Sequence, residues 1–104
     1  MARKPRSGPA ADPELLILSS LASGPKHGYA IMADVESFSG VRLGPGTLYT
    51  AITRLVEKGL IAAQDSGGRQ RPYELTDAGA ESMRAQLEDM RRLATVALRR
   101  LRFA

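Results

Sequence analysis

The stretch that decides the fold is "GPGTLYTAITRLVEKGL", residues 44–60. From Leu48 onward its apolar residues recur at helical spacing, so one side of a helix is expected to face a core. The other side carries threonines and one arginine, with little further charge. A proline in the first helical turn fixes the backbone without losing a needed N–H donor. So small and polar a face indicates a helix that closely approaches another molecule. The side chains expected to face the core are Leu48, Ala51, Ile52, Leu55 and Val56.

The composition predicts one compact domain with an appendage, since the chain has 104 residues, of which 43% are hydrophobic. The absence of cysteine excludes disulfides, thiolate catalysis and zinc fingers. No apolar run approaches the ~18 residues that a membrane span needs, and the N-terminus lacks the apolar core of a signal peptide. We therefore expect a cytoplasmic protein with no membrane partner.

The basic residues are concentrated in two parts of the chain. There are 15 Lys and Arg against 11 Asp and Glu, a net charge of +4. Residues 1–11 contain three basic residues and no acidic one, and residues 41–71 contain five basic residues against two acidic ones. Residues 12–40 contain one basic residue against four acidic ones. Local excess of this kind is what a polyanion partner requires, although ordinary protein surfaces also show it.

Two helices are predicted before the opening stretch. The first begins at Asp12-Pro13-Glu14, which supplies an N-cap acceptor, a proline at the first helical position and an acid in the first turn. It is expected to run to Gly24, and its apolar residues cover so much of its circumference that it needs more than one neighbour. The second helix spans roughly residues 26–38 and ends at "SFSG"; "VRL" (41–43) could pair as a very short strand.

A β-hairpin and a long helix are predicted after it. "LIAAQDS" and "RQRPYELT" flank Gly67-Gly68, a pair that supplies the positive φ of a tight turn, and Pro72 must then lie at an edge position. Thr76 and Asp77 can cap a last helix over about residues 77–102.

This order of elements predicts a mainly α protein with a small β-hairpin (α+β), a winged helix-turn-helix with a long C-terminal dimerisation helix. The expected parts are a flexible basic N-terminal arm (1–11), a DNA-binding domain (12–76) and the C-terminal helix (77–104). Such an arm could contact phosphates or a minor groove, or could be a solvated leader.

A winged helix presents its third helix to the major groove of double-stranded DNA and its wing to adjacent phosphates. Threonines can bond bases or phosphates and touch thymine methyls, arginine can reach guanine, and a flanking tyrosine can bond a phosphate. Alternatively, Gly46 only makes a turn, and the polar groups are exposed to solvent and bind no partner. The candidate DNA-binding residues are Thr47, Tyr49, Thr50, Thr53, Arg54, Arg69 and Arg71.

Three segments, "HGYAI" (27–31), "GPGTLYTAITRLVEKGLI" (44–61) and "RPYELTDAG" (71–79), resemble the signature segments of PadR-like bacterial transcriptional regulators. The chain is similar to the short branch of that family, which has a single C-terminal helix. The resemblance implies a homodimeric repressor of a palindromic operator, often relieved by a small molecule. It also implies that Tyr49 contacts the DNA backbone.

The last helix carries an apolar seam whose residues recur at steps of 4, 3, 4, 3 and 4, which is typical of a helix that pairs with another. The resemblance implies that the partner's first helix adds to this interface. Folding back onto the same chain is the alternative, and small residues at the seam could instead leave room for a ligand. The expected dimer residues are Leu15, Leu18, Met83, Leu87, Met90, Ala94, Ala97 and Leu101.

No enzyme, metal or cofactor is predicted. His27 is the only histidine, so catalytic triads are excluded and a transition-metal site is poorly supplied; we expect this histidine to bond backbone or to pack beside Tyr29. The hypothesis is a cytoplasmic, sequence-specific transcriptional regulator with a possible small-molecule effector. Its rival is a winged-helix protein-interaction module without sequence-specific DNA readout.

Overall fold

The computed structural model describes residues 11–64 and 71–103. These residues form helices and one two-stranded antiparallel sheet, which confirms the predicted fold class. The predicted arm up to residue 10, the turn glycines and Arg69 lie outside the described residues. In chain order the elements are α1 (Pro13–Leu21), α2 (Gly28–Ser39), α3 (Pro45–Glu57), β1 (Ile61–Ala63), β2 (Tyr73–Leu75) and α4 (Asp77–Arg102).

Helix α1 is the central element of the domain. Its start is as predicted, because the Asp12 carboxylate accepts a hydrogen bond from the Glu14 N–H at 3.2 Å. It packs against α2, α3, β2 and α4 at once, which accounts for its apolar circumference. It ends at Leu21, three residues before the predicted stop at Gly24. There the Lys26 Nζ atom donates to the Ser20 carbonyl oxygen at 2.6 Å, a bond that closes the helix end early.

Helix α2 ends as predicted at Gly40, which has a φ of 75°. The strand expected over residues 41–43 is absent, although the structure describes these residues. The Val41 N–H donates to the Ser39 side chain at 3.0 Å, and Leu43 turns into the core. The first N–H group of this segment is therefore not available for pairing with a strand.

The hairpin is confirmed, with Ile61 opposite Leu75 and Ala63 opposite Tyr73. A third backbone segment joins the sheet from the turn between α1 and α2. Lys26 donates to the Tyr73 carbonyl at 3.1 Å, and Tyr73 donates to the Lys26 carbonyl at 2.8 Å. The wing is thus held to the helical part of the domain by backbone bonds, an attachment that the sequence did not predict.

One core lies between α1, α2 and α3, and β1 closes it. Val56 was expected to face this core, but it is 41% exposed. The buried side of α3 covers a smaller part of the helix circumference than the apolar residues do, and Val56 lies at its edge. The fully buried members of the core are Ile17, Leu18, Ile31, Val35, Leu48, Leu55 and Ile61.

Helix α4 is attached to the domain at its first turn. Its bounds match the prediction, and the Thr76 hydroxyl accepts the Gly79 N–H at 3.0 Å. The same hydroxyl donates to the Gly59 carbonyl at 2.7 Å, and the Thr76 N–H donates to the Leu60 carbonyl at 3.1 Å. Gly79 is buried against that Leu60 carbonyl, where a Cβ atom would overlap the oxygen. The end of α3 and the start of α4 are therefore a single joint, which we call the α3–α4 joint (residues 59–60 and 76–79).

Among the described residues, no helix combines the length and the apolar character that crossing a lipid bilayer demands.

We expect Gly79→Ala to lower the free energy of unfolding by at least about 2 kcal/mol, because the new methyl group meets backbone that cannot move aside. Gly46→Ala is the control, since a Cβ atom there meets nothing within 4 Å among the described residues and its backbone needs no glycine. Urea unfolding of both variants measures the difference. Equal stability of the two would contradict the account of the joint.

Candidate nucleic-acid interface

The exposed side of α3 begins with backbone N–H groups that no side chain caps in the described structure. Pro45 occupies the first turn, and Gly46 is exposed and adds no bulk. The buried side is fixed by Leu48 and Leu55, which have no exposed surface. A rigid helix end with free donors and partial positive charge favours an approaching phosphate.

Three of the predicted residues come together in one cleft. Thr47, Thr50 and Arg54 follow one another along α3 and line a cavity of about 500 Å³. All three are exposed. The facing wall is the start of α1, residues 12–14. Two hydroxyl groups and a guanidinium on one face can donate to phosphates or base edges, so the structure brings together the part of the site that reads DNA in the prediction.

Thr53 does not line this cleft. Its hydroxyl donates to the Tyr49 carbonyl of the preceding turn at 2.9 Å, so its proton is already used within α3. Only its lone pairs remain for an outside donor. The prediction treated the threonines as equivalent, and the structure distinguishes Thr53 from Thr47 and Thr50.

Tyr49 lies on the flank of α3 with 44% of its surface exposed. Its hydroxyl end rests on Gly28, the first residue of α2. The tyrosine therefore connects the two helices of the helix-turn-helix at the edge of the candidate interface. The sequence analysis placed Tyr49 correctly on the flank but did not find Gly28, because no local pattern links residues on different helices.

Acidic residues form the other wall of the cleft. The Glu14 carboxylate accepts from Lys58 Nζ at 2.7 Å, which ties the start of α1 to the end of α3. The Asp12 carboxylate caps α1. The sequence analysis missed both as neighbours of the site. Its only signal was the acidic excess of residues 12–40, since Glu14 and Lys58 are 44 positions apart.

The wing contributes one described candidate. Arg71 is exposed and stands two positions before Tyr73, whose backbone is bonded to Lys26. Arg69 lies outside the described residues. Arg71 therefore lies close to a backbone segment that is hydrogen-bonded to the helical part of the domain.

His27 precedes α2 and does not cap it with its side chain. Its Nδ1 atom is buried and makes no hydrogen bond in the described part of the chain, so an expected bond to backbone is not made through this atom. In residues 11–64 and 71–103, no group of three or more His, Asp or Glu side chains is placed to hold a metal ion.

The expected dimer residues fall into two groups. Leu15 and Leu18 are buried within the single chain, with 6% and 1% of their surface exposed, so no partner is needed to bury them. On α4, Met83 packs against the core, whereas beyond it the seam is open. The exposed apolar residues of this open part, here called the α4 stripe, are Leu87, Leu93, Ala94, Val96, Ala97, Leu98 and Leu101. Met90, within the same stretch, is half-buried.

Comparison with known proteins agrees with this architecture. A sequence model described as "Transcriptional regulator PadR-like family" matches residues 17–85. An uncharacterized 37.1 kDa transposon protein of Streptomyces fradiae is 49% identical over 83 residues, which make up 80% of this chain and 24% of that protein. The chain therefore spans about a quarter of that relative's length.

Solved structures extend the likeness over most of the chain. A PadR family transcription regulator from Clostridium difficile is 32% identical, with a TM-score of 0.74 over 86% of this chain and 97% of that one. A PadR-like regulator from Bacillus cereus has a TM-score of 0.72 over 85% of this chain and 89% of that one. The latter is 21% identical, so its likeness concerns the fold alone.

The two threonine environments lead to different expected effects on DNA binding. Thr50→Val removes from the cleft a hydroxyl that has no partner among the described residues, and should weaken binding to a preferred sequence about tenfold, whereas Thr53→Val should change it less than about twofold. Fluorescence anisotropy with one labelled duplex at fixed salt measures both. A larger loss for Thr53→Val than for Thr50→Val would mean that the reading face has been assigned to the wrong side of α3.

Proposed function

This chain belongs to the PadR-like family of transcriptional regulators, which are DNA-binding proteins and not enzymes, and we propose that it is a homodimeric repressor of a palindromic operator. The observation that carries the proposal is the face of α3 on which Thr47, Thr50 and Arg54 line one cleft beside an uncapped helix start. The hydroxyl groups and the guanidinium of this face can donate to base edges and phosphates of a major groove.

In this proposal, α3 enters the groove with its N-terminal turn first. Thr47 and Thr50 bond bases or phosphates, their methyl groups contact thymine, and Arg54 reaches guanine or the backbone. Tyr49 bonds a phosphate through its hydroxyl, and Thr53 contributes through contact rather than donation. Arg69 and Arg71 of the wing neutralise adjacent phosphates.

The α4 stripe supports the proposed homodimer. In the single chain its leucines are exposed to solvent: Leu93 is 69% and Leu101 is 71% exposed. A second copy related by a two-fold axis would cover the same stripe on both protomers. The two reading helices would then meet successive major grooves about 34 Å apart, which requires a palindromic site.

A small apolar ligand that relieves repression is part of the proposal. Ala94 and Ala97 have small side chains, so they leave room for a ligand in the middle of the stripe. Met83 and Met90 have flexible side chains that can adapt to an apolar molecule. The chain contains no tryptophan with which to stack a flat aromatic ligand. A ligand bound between the helices would change their separation, and with it the separation of the reading helices.

The experiment that tests the proposal is retention of genomic fragments from the source organism by the purified full chain at roughly 0.15 M salt. The expected result is a small set of fragments that share one inverted repeat. Weak retention of all fragments, or of none, would overturn sequence-specific repression and favour the protein-interaction module. Placement of the repeat over promoters, with increased transcription on deletion of the gene, distinguishes repression from activation.

We expect Leu87→Glu to convert the dimer to monomer at micromolar concentration, because an unpaired carboxylate would be buried within the seam. Thr95→Glu adds the same charge on the opposite side of α4 and should leave the dimer intact. Light scattering measures the mass of both variants. A dimeric Leu87→Glu protein would show that the copies meet elsewhere.

A further inference from the structure

Gly28 is a glycine that its own backbone conformation does not require. It is buried at the first position of α2, and the positive φ angles of the described chain belong to Gly24, Gly40 and Gly59. An alanine would fit this backbone and would favour the helix. The reason for a glycine must therefore be sought in what surrounds the position.

The atoms nearest to this position belong to a single side chain. A Cβ atom on Gly28 would overlap the Tyr49 hydroxyl and would lie 2.9 Å from the ring carbon Cζ and 3.3 Å from Cε1. These three atoms are the nearest neighbours of the position. The missing methyl group thus makes room for the outer end of the Tyr49 ring.

This contact lies where the two helices of the helix-turn-helix meet at the candidate interface. Tyr49 is anchored on α3, whose inner side is fully buried, and its ring reaches across to the start of α2. A ring held between two rigid elements keeps one rotamer. Its hydroxyl then needs little further ordering to bind a DNA phosphate.

We propose that Gly28 is the positioning residue for Tyr49, and that it holds the tyrosine hydroxyl in the direction of one phosphate at the edge of the major groove. The inference rests on the proposed function, in which Tyr49 contacts the DNA backbone. An alanine at position 28 meets the far end of a movable side chain and not backbone. The ring therefore rotates away, and DNA binding weakens while the fold is kept.

The test is a double-mutant cycle of Gly28→Ala and Tyr49→Phe, measured by anisotropy on an operator duplex recovered from genomic fragments. Each single variant is expected to bind about tenfold more weakly for each half-site, the loss of one hydrogen bond to a charged acceptor. The double variant should bind no more weakly than either single variant, because both changes remove the same contact.

Thermal unfolding provides the readout of the packing itself. In a Tyr49→Leu background the ring is gone, so Gly28→Ala should raise the melting temperature by a few degrees. With Tyr49 present the same substitution should give no such gain. A gain of equal size in both backgrounds would overturn the inference, because Gly28 would then not be serving the ring.

The remaining outcomes separate this inference from the proposed function. If Tyr49→Phe binds the operator as the unchanged protein does, the positioning role fails while the regulator stands. Additive losses in the cycle would show that Gly28 acts by another route, and would also overturn it. If the unchanged protein selects no sequence, the proposed function fails, and the inference fails with it.

Discussion

The carbonyl group of Leu60 is the point on which the arrangement of the helices depends. It follows the end of α3, accepts the Thr76 N–H and lies against Gly79 without a side chain between them. Thr76 adds a bond to the Gly59 carbonyl on the same turn. Because the Leu60 carbonyl, the Thr76 N–H and Gly79 are backbone groups, the long helix leaves the domain in one direction. That direction determines where the α4 stripe lies relative to the face of α3, and therefore how two copies could place their reading helices.

Local signals were sufficient to predict most of the fold. The caps of α1 and α4 are read from neighbouring residues, Asp12 with Glu14 and Thr76 with Gly79, and both helix starts were predicted correctly. The end of α1 was predicted too late, because the lysine that closes it folds back from the following turn. The possible strand at residues 41–43 does not form, since the Val41 N–H bonds to the Ser39 side chain and Leu43 is buried in the core.

The candidate site was predicted in its residue types but not in its contacts. Thr47, Thr50 and Arg54 follow from the helical spacing of α3 alone. Three contacts depend on rotamers or on distant parts of the chain. They are the hydrogen bond of the Thr53 hydroxyl within the helix, the ion pair of Glu14 with Lys58 and the contact of Tyr49 with Gly28. The apolar circumference of α1 shows the same limit. It indicated that several neighbours were needed, but not that the chain itself supplies them.

The exposed α4 stripe has a consequence for the thermodynamics of the protein. If a second copy covers it, stability follows mass action, and the melting temperature rises with protein concentration. When the total protein concentration is below the dissociation constant of the dimer, the concentration of dimer grows with the square of the total concentration. The dimer is the form able to bind a two-fold operator. Operator occupancy would then respond to small changes in the rate of synthesis more steeply than a monomer would allow. The amount of the protein in the cell would thereby itself regulate the occupancy of the operator.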